Sequence, residues 1–133
     1  LLDLLEMFAS CEVDLAWVIE RLPAPRARQY SISSAAETQT EVALTVSVIE
    51  GPALSGTGTY RGAASSYLQR VQPGDRLTVT LASPTEHFRP PAQNSIPAIM
   101  IAAGSGIAPF RGFINARHAR ATGGEPAGET VLF

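Results

Sequence analysis

The chain has 133 residues, 45% of them hydrophobic and 17% charged, with a formal net charge of −2. That composition excludes an intrinsically disordered chain, and the length suits one domain or parts of two. All ten basic residues are arginine, which excludes a P-loop; a single cysteine, Cys11, beside His87 and His118 excludes a disulfide framework and zinc spacing.

In chain order, Leu1, Leu4, Leu5 and Phe8 follow a helical spacing. A second helix is expected after Ser10, with Glu12 and Asp14 in its first turn and Leu15, Val18, Ile19 and Leu22 as its apolar stripe. Pro23 and Pro25 end it, because proline lacks an amide hydrogen and disfavours helix in the residue before it. From Arg26 the period changes to two. Residues 28–33 form one strand candidate, and Val42, Leu44, Val46 and Val48 alternate in the next, its expected antiparallel neighbour. Gly51, Pro52, Gly56, Gly58 and Gly62 predict a flexible loop, after which Ala64, Tyr67, Leu68 and Val71 allow a short helix. Pro73-Gly74-Asp75 is turn chemistry, and Leu77, Val79 and Leu81 alternate in a further strand. Pro84, Pro90, Pro91 and Pro97 forbid regular structure over residues 83–97 and mark the expected domain boundary.

Beyond that boundary the pattern is of another kind. Residues 98–103 are an uninterrupted apolar run, as expected of a strand buried on both faces of a parallel sheet. Gly104-Ser105-Gly106 turns the chain, and Pro109 starts a helix with Phe110, Phe113 and Ile114 on one side and Arg117 and Arg120 on another. After Gly123-Gly124, residues 130–133 begin a parallel partner strand, giving one strand-helix-strand unit, incomplete at its end. The chain opens on Leu1 and stops within the apolar run Val131-Leu132-Phe133, so a piece of a longer polypeptide is expected. No apolar run reaches the roughly 18 residues of a membrane span, and Asp3 and Glu6 stand where a signal peptide is basic, which predicts a soluble, cytoplasmic protein. Without a basic stripe interleaved with aromatics, no nucleic-acid partner is expected.

Three stretches can carry chemistry. In Gly104-Ser105-Gly106-Ile107-Ala108-Pro109, glycines between a strand and a helix let backbone approach a ligand, and the helix start directs amides at a phosphate. A tight turn without a ligand satisfies the same residues. In Arg28-Gln29-Tyr30-Ser31, alternation puts a guanidinium that can fork onto phosphate beside a ring that can stack on an aromatic ligand. An ordinary strand with a half-buried tyrosine is the alternative there. In Gly62-Ala63-Ala64-Ser65, small residues followed by a hydroxyl let amides converge on an anion, although a plain capped helix fits equally. Charge is uneven: residues 1–50 carry eight acids and three arginines, net −5, and residues 51–133 four acids and seven arginines, net +3. A basic half suits a phosphate-bearing ligand, and a solvated mixed surface suits it too. His87 and His118 read as surface residues and Cys11 as a small buried hydrophobe.

In this order and spacing the stretches resemble the diflavin reductases, the NADPH-cytochrome P450 reductase family within the ferredoxin-NADP reductase group. The resemblance runs from LLDLLEMFASCEVDLAWVIERLPAPRARQYSISS through GTYRGAASSYL and PAIMIAAGSGIAPFRGFINAR to ETVLF. The wording is most similar to the reductase half of fused bifunctional cytochrome P450/NADPH-P450 reductases. The resemblance implies an antiparallel Greek-key β-barrel that binds FAD, followed by the start of an α/β parallel-sheet NADP-binding domain. Residues 1–25 would end a helical connecting region, 26–96 would form part of the FAD barrel, and 97–133 would open the NADP domain.

It also implies roles. Arg28 would bind the FAD pyrophosphate, Tyr30 would stack on the isoalloxazine, and Ser31 would lie near flavin N5, where hydride arrives. Gly62, Ala63 and Ala64 would give amides to the pyrophosphate and Ser65 its hydroxyl. Gly104, Ser105, Gly106, Ile107, Ala108 and Pro109 match the G-T-G-x-A-P loop that receives NADPH, with serine in place of the usual threonine, and Arg111 follows. FMN and haem, and the FMN and P450 domains that carry them, would lie in other parts of the parent, so an isolated segment is not expected to turn over. Another diflavin type, such as the sulfite reductase flavoprotein or the nitric oxide synthase reductase, and a flavin-free binding module are the alternatives.

Overall fold

The computed structural model of the chain describes residues 2–35, 40–83 and 88–133; His87 falls outside them. Among the described residues it is a mixed α/β arrangement containing two two-stranded sheets. Helix α1 covers Leu2–Met7 and α2 covers Leu15–Arg21. Asp14 is not inside the second helix as its acidic character predicted. It is the N-cap, with its side chain accepting from Ala16 N at 3.0 Å, and Glu12 lies before the helix. A short carboxylate stabilises a helix more by pairing with a first-turn amide than by standing within that turn. The Arg21 guanidinium lies 4.0 Å from the centroid of the Trp17 ring, one turn back. Of this helix only Val18 is buried, and Cys11, expected inside, is exposed in the connection between the two helices, where no helical face covers it.

The expected antiparallel pairing of the next two segments is present at its centre. Ile32 faces Leu44 across an antiparallel bridge, and Ser33 N donates to Ala43 O at 2.8 Å. The glycine-rich stretch beyond is not a flexible loop. Strand β1 (Glu50–Pro52) pairs antiparallel with β2 (Thr59–Arg61). Ala53 N donates to Gly58 O at 3.1 Å and closes the hairpin, so the glycines supply its tip. Helix α3 (Ala63–Arg70) follows. The strand expected over Leu77, Val79 and Leu81 does not form: they pair with no other described segment, and all three are exposed.

Strand β3 (Ala98–Met100) is shorter than the apolar run, and its burial is one-sided: Met100 is 4% exposed, whereas Ile99 is 72% exposed. An apolar residue on each face of a strand is buried only where a layer covers that face, and among the described residues Ile99 has no such layer over it. Helix α4 covers Ala108–Thr122. A 3-10 turn over Gly104–Ile107 joins β3 to α4, whose first turn contains Pro109. Strand β4 (Thr130–Leu132) lies parallel to β3, with Ala98 opposite Thr130 and Met100 opposite Leu132. The predicted strand-helix-strand unit is therefore present.

The tightest packing sits on α4. Ala108, Gly112, Ala116 and Arg117 are its buried positions, and Phe88, Phe110 and Phe113 meet with ring centroids 5.5–6.0 Å apart. Arg117, expected on a separate polar face, is buried. Its Nε donates to Thr130 Oγ1 at 3.0 Å, and its Nη2 donates to the carbonyls of Asn94, Ile96 and Gly128 at 2.9–3.1 Å. Asn94 Nδ2 donates to Arg117 O at 3.2 Å. One guanidinium thus ties the proline-rich boundary segment to helix and sheet, a role suited to its fixed fork of donors. Among the described residues, no helix is long and apolar enough to cross a membrane.

Candidate functional site

At the end of β3 the backbone turns through Gly104, whose φ of +54° lies in the left-handed region that favours glycine. A side chain at Gly104 or Gly106 would meet nothing within 4 Å, so the backbone of this turn faces open space. No side chain caps the 3-10 turn or α4; Gly106 N donates to Ala103 O at 3.0 Å, Ala108 N donates to Ser105 O and Pro109 has no amide hydrogen, so the amides without a described partner are those at the start of the turn, Gly104 and Ser105. Gly104, Ser105, Gly106 and Ile107 are all exposed. The chemistry open to such a place is anion binding: amides at the start of the turn, the positive end of a helix dipole, and a backbone that a ligand can approach closely.

A second uncapped helix start lies at α3. Gly62 is its N-cap and, having no side chain, makes no side-chain cap bond; Ala63 is exposed and Ala64 half-buried. Gly62 N donates to Ile49 O at 2.8 Å, and Ser65 Oγ accepts from Ile49 N at 3.1 Å while donating to Gly62 O at 3.2 Å. Ser65 is 4% exposed, so its hydroxyl anchors the helix start to the segment before β1. A side chain at Gly62 would stand 2.7 Å from Ser65 Oγ, which explains the glycine. By contrast α2, at which no motif places a ligand, carries an ordinary side-chain cap from Asp14.

Arg28 is exposed, with Nη1 3.3 Å from Arg26 O; Tyr30 is half-buried and Ser31 exposed. The segment becomes fixed just after them. Ser33 is fully buried, and Ser34 Oγ accepts from Ala43 N at 3.1 Å. Just past the two stretches the chain segments touch: Arg111 Nη1 donates to Ser33 O at 3.3 Å and lies 3.4 Å from Ser33 Oγ, while Gly112 backs onto Ser34 O. The described contacts do not join Gly62–Ser65 directly to Arg28 or Tyr30. Gly62 and Ser65 are tied to Ile49, and Ser33 and Ser34, which follow Ser31, to Ala43, six positions earlier, a reach of at most about 20 Å.

Arg117, Gly112 and Ser33 carry much of this arrangement and were not singled out by motif. The sequence contains a signal for two of them. Arg117 continues the spacing of Phe113 and Ile114, where a charged residue must find partners, and Gly112 interrupts a helix at a cost of about 1 kcal/mol unless a close approach requires it. Ser33 has no such signal.

No family model matches the chain. Over its whole length it is 40% identical to a bifunctional cytochrome P450/NADPH-P450 reductase of Bacillus cereus and 40% identical to bifunctional cytochrome P450/NADPH-P450 reductase 2 of Bacillus subtilis, covering 13% of each. Over 99% of its length it is 46% identical to a self-sufficient cytochrome P450 monooxygenase of Penicillium freii, again covering 13%. The chain therefore spans about an eighth of the length of these relatives. By these matches the chain is related to a segment of proteins named for P450 reduction. More narrowly, it is homologous along its full length to the reductase-containing part of the bifunctional P450/NADPH-P450 reductases.

Proposed function

We propose that the chain is the junction of an FAD-binding barrel and an NADP-binding domain, in a flavoprotein that moves electrons from NADPH through FAD, and FMN elsewhere in the polypeptide, to a cytochrome P450 haem. One observation carries the reading. The two helix starts that the motifs give to phosphates, at α3 and α4, lack side-chain caps and are flanked by glycines, whereas α2 is capped by Asp14. The amides left open at the start of α3 and in the glycine turn before α4 match the pyrophosphates of two dinucleotides. Homology along the whole chain to proteins named for NADPH-P450 reduction supports the same assignment.

When bound, FAD accepts a hydride and releases electrons singly, chemistry the polypeptide alone cannot supply. The residues hold and orient. Arg28, exposed and able to fork, would neutralise pyrophosphate charge; Tyr30 would stack on the isoalloxazine; Ser31 would stand near N5. Gly62, Ala63 and Ala64 would give amides to the pyrophosphate, with Ser65 turning its hydroxyl hydrogen from Gly62 O toward the anion. Gly104, Ser105, Gly106, Ile107, Ala108 and Pro109 would receive NADPH, with Arg111 just beyond them. Residues 1–25 would belong to a helical connecting region, 26–96 to the barrel and 97–133 to the NADP domain, in a cytoplasmic enzyme whose FMN and haem domains share the polypeptide.

The complete polypeptide is expected to release FAD on denaturation, and Tyr30→Ala to lower its FAD content severely, read by absorbance after purification. A folded protein without FAD would overturn the proposal in favour of a flavin-free binding module.

A further inference from the structure

Arg111 stands two residues past Pro109, the end of the glycine turn, and Ser33 stands two residues past Ser31. These two positions touch. Nη1 of Arg111 lies 3.3 Å from Ser33 O and 3.4 Å from Ser33 Oγ. One helix position further on, an added side chain at Gly112 would stand 2.9 Å from Ser34 O and 3.4 Å from its carbonyl carbon. Helix and strand backbone are in direct contact there, with room for hydrogen alone. The strand side is equally fixed: Ser33 is fully buried, Ser33 N is bound to Ala43 O at 2.8 Å, and Ser34 Oγ takes Ala43 N at 3.1 Å.

From this juxtaposition we propose that Arg111 and Gly112 form a latch that sets the distance between the glycine turn and the Arg28–Ser31 segment. Arg111 is thus a positioning residue whose guanidinium acts on Ser33. The inference rests on the functional reading above and adds to it. The two contacts are complementary in kind, since glycine permits close approach while the guanidinium fixes the rotation and slide of the helix on the strand. The Arg111 contacts are long for hydrogen bonds and weak singly, so their value lies in geometry. A displacement of about 1 Å between reacting groups can cost up to about 100-fold in rate.

The test uses the complete enzyme as wild type and as the Arg111→Ala, Arg111→Lys and Gly112→Ala variants. FAD content, the Kd for NADP+ by titration, and the rates of flavin reduction by NADPH and by dithionite are measured on each. The latch predicts unchanged FAD content and dithionite reduction in every variant, and unchanged NADP+ affinity in Gly112→Ala. It predicts an NADPH-driven rate about tenfold lower or less in Arg111→Ala, a similar loss in Gly112→Ala although no charge is touched, and partial recovery in Arg111→Lys. Amide exchange at residues 32–34 should quicken in both Ala variants, a readout independent of turnover. An unchanged NADPH rate in both Ala variants overturns the latch. So does a loss confined to NADP+ affinity in Arg111→Ala, which would make the guanidinium a direct ligand contact. A wild-type enzyme that carries no FAD fails the functional reading itself, a result separate from either of these.

Discussion

The segment from Asn94 to Phe133 and the segment from Arg26 to Arg61 hold together by different means. In the first, a parallel strand pair, a 15-residue helix and one buried arginine close on each other within about forty positions of chain. In the second, an isolated bridge at Ile32 and Leu44, a three-residue hairpin ladder and the Ser65 hydroxyl are the principal ties, and Leu44, Val48 and Ile49 remain exposed. A strand-helix-strand unit completes its hydrogen bonding from neighbours close in sequence, while antiparallel strands of a wider sheet depend on partners far along the chain. The region with its own closure holds the glycine turn; the one with open edges holds Arg28, Tyr30 and Ser31. Arg111 is where the first fastens the second.

The sharpest way to break the comparison is to remove the guanidinium that closes the first region. Arg117 is 6% exposed and serves three carbonyls and a hydroxyl. Arg117→Ala removes the guanidinium from all four acceptors; Asn94 O keeps Gly128 N as a donor at 2.9 Å, whereas Ile96 O, Gly128 O and Thr130 Oγ1 lose theirs, at about 1–3 kcal/mol for each group that water cannot reach. A loss of about 3 kcal/mol or more is expected in urea unfolding of the complete protein. Arg117→Lys should recover only part, because an ammonium cannot reproduce the fork. A loss below about 1 kcal/mol for the alanine variant would show that the sheet and helix close without the arginine.

How much of this was legible in the sequence follows the same division. The strand-helix-strand unit could be read because its signals are local: Gly104 and Pro109 bracket the turn, and Gly123 and Gly124 end the helix. The hairpin was misread because Gly51, Gly56 and Gly58 signal turns without saying which flanking residues pair. Only the facing register of Glu50 with Arg61 and Pro52 with Thr59 makes them a ladder. The three candidate stretches could be listed from motif, but the meeting of Arg111 with Ser33 could not, since nothing local relates positions 78 apart. Arg117 was placed on a polar face by its charge, whereas its spacing from Phe113 and Ile114 put it on the packed one.

Helix α2 offers a milder contrast, for its apolar face is barely covered. Leu15, Trp17, Ile19 and Leu22 are exposed, so local terms hold the helix: the Asp14 cap and the Arg21–Trp17 contact. Asp14→Ala is expected to cost about 1 kcal/mol and to speed amide exchange at Ala16 and Trp17. Asp14→Asn should be nearly neutral, because the amide oxygen accepts the same bond. Equal losses for both variants would mean that the carboxylate charge matters more than the acceptor.

The smallest effect is expected where the second region looks most strongly tied. Arg61 and Glu50 face each other across the hairpin, with Nε and Nη2 both 3.1 Å from Glu50 Oε1, so the contact resembles the one made by Arg117. Its surroundings differ: the side chains are 67% and 48% exposed, and water competes for every donor and acceptor. Exposed pairs of this kind contribute about 0.2–1 kcal/mol, less as salt rises. Glu50→Gln should therefore shift the urea midpoint slightly at low salt and not measurably at about 0.5 M salt, where the Debye length falls well below that at 0.1 M. A salt-independent loss as large as that of Arg117→Ala would mean that the hairpin closes against a further layer and shares the first region's means of holding together.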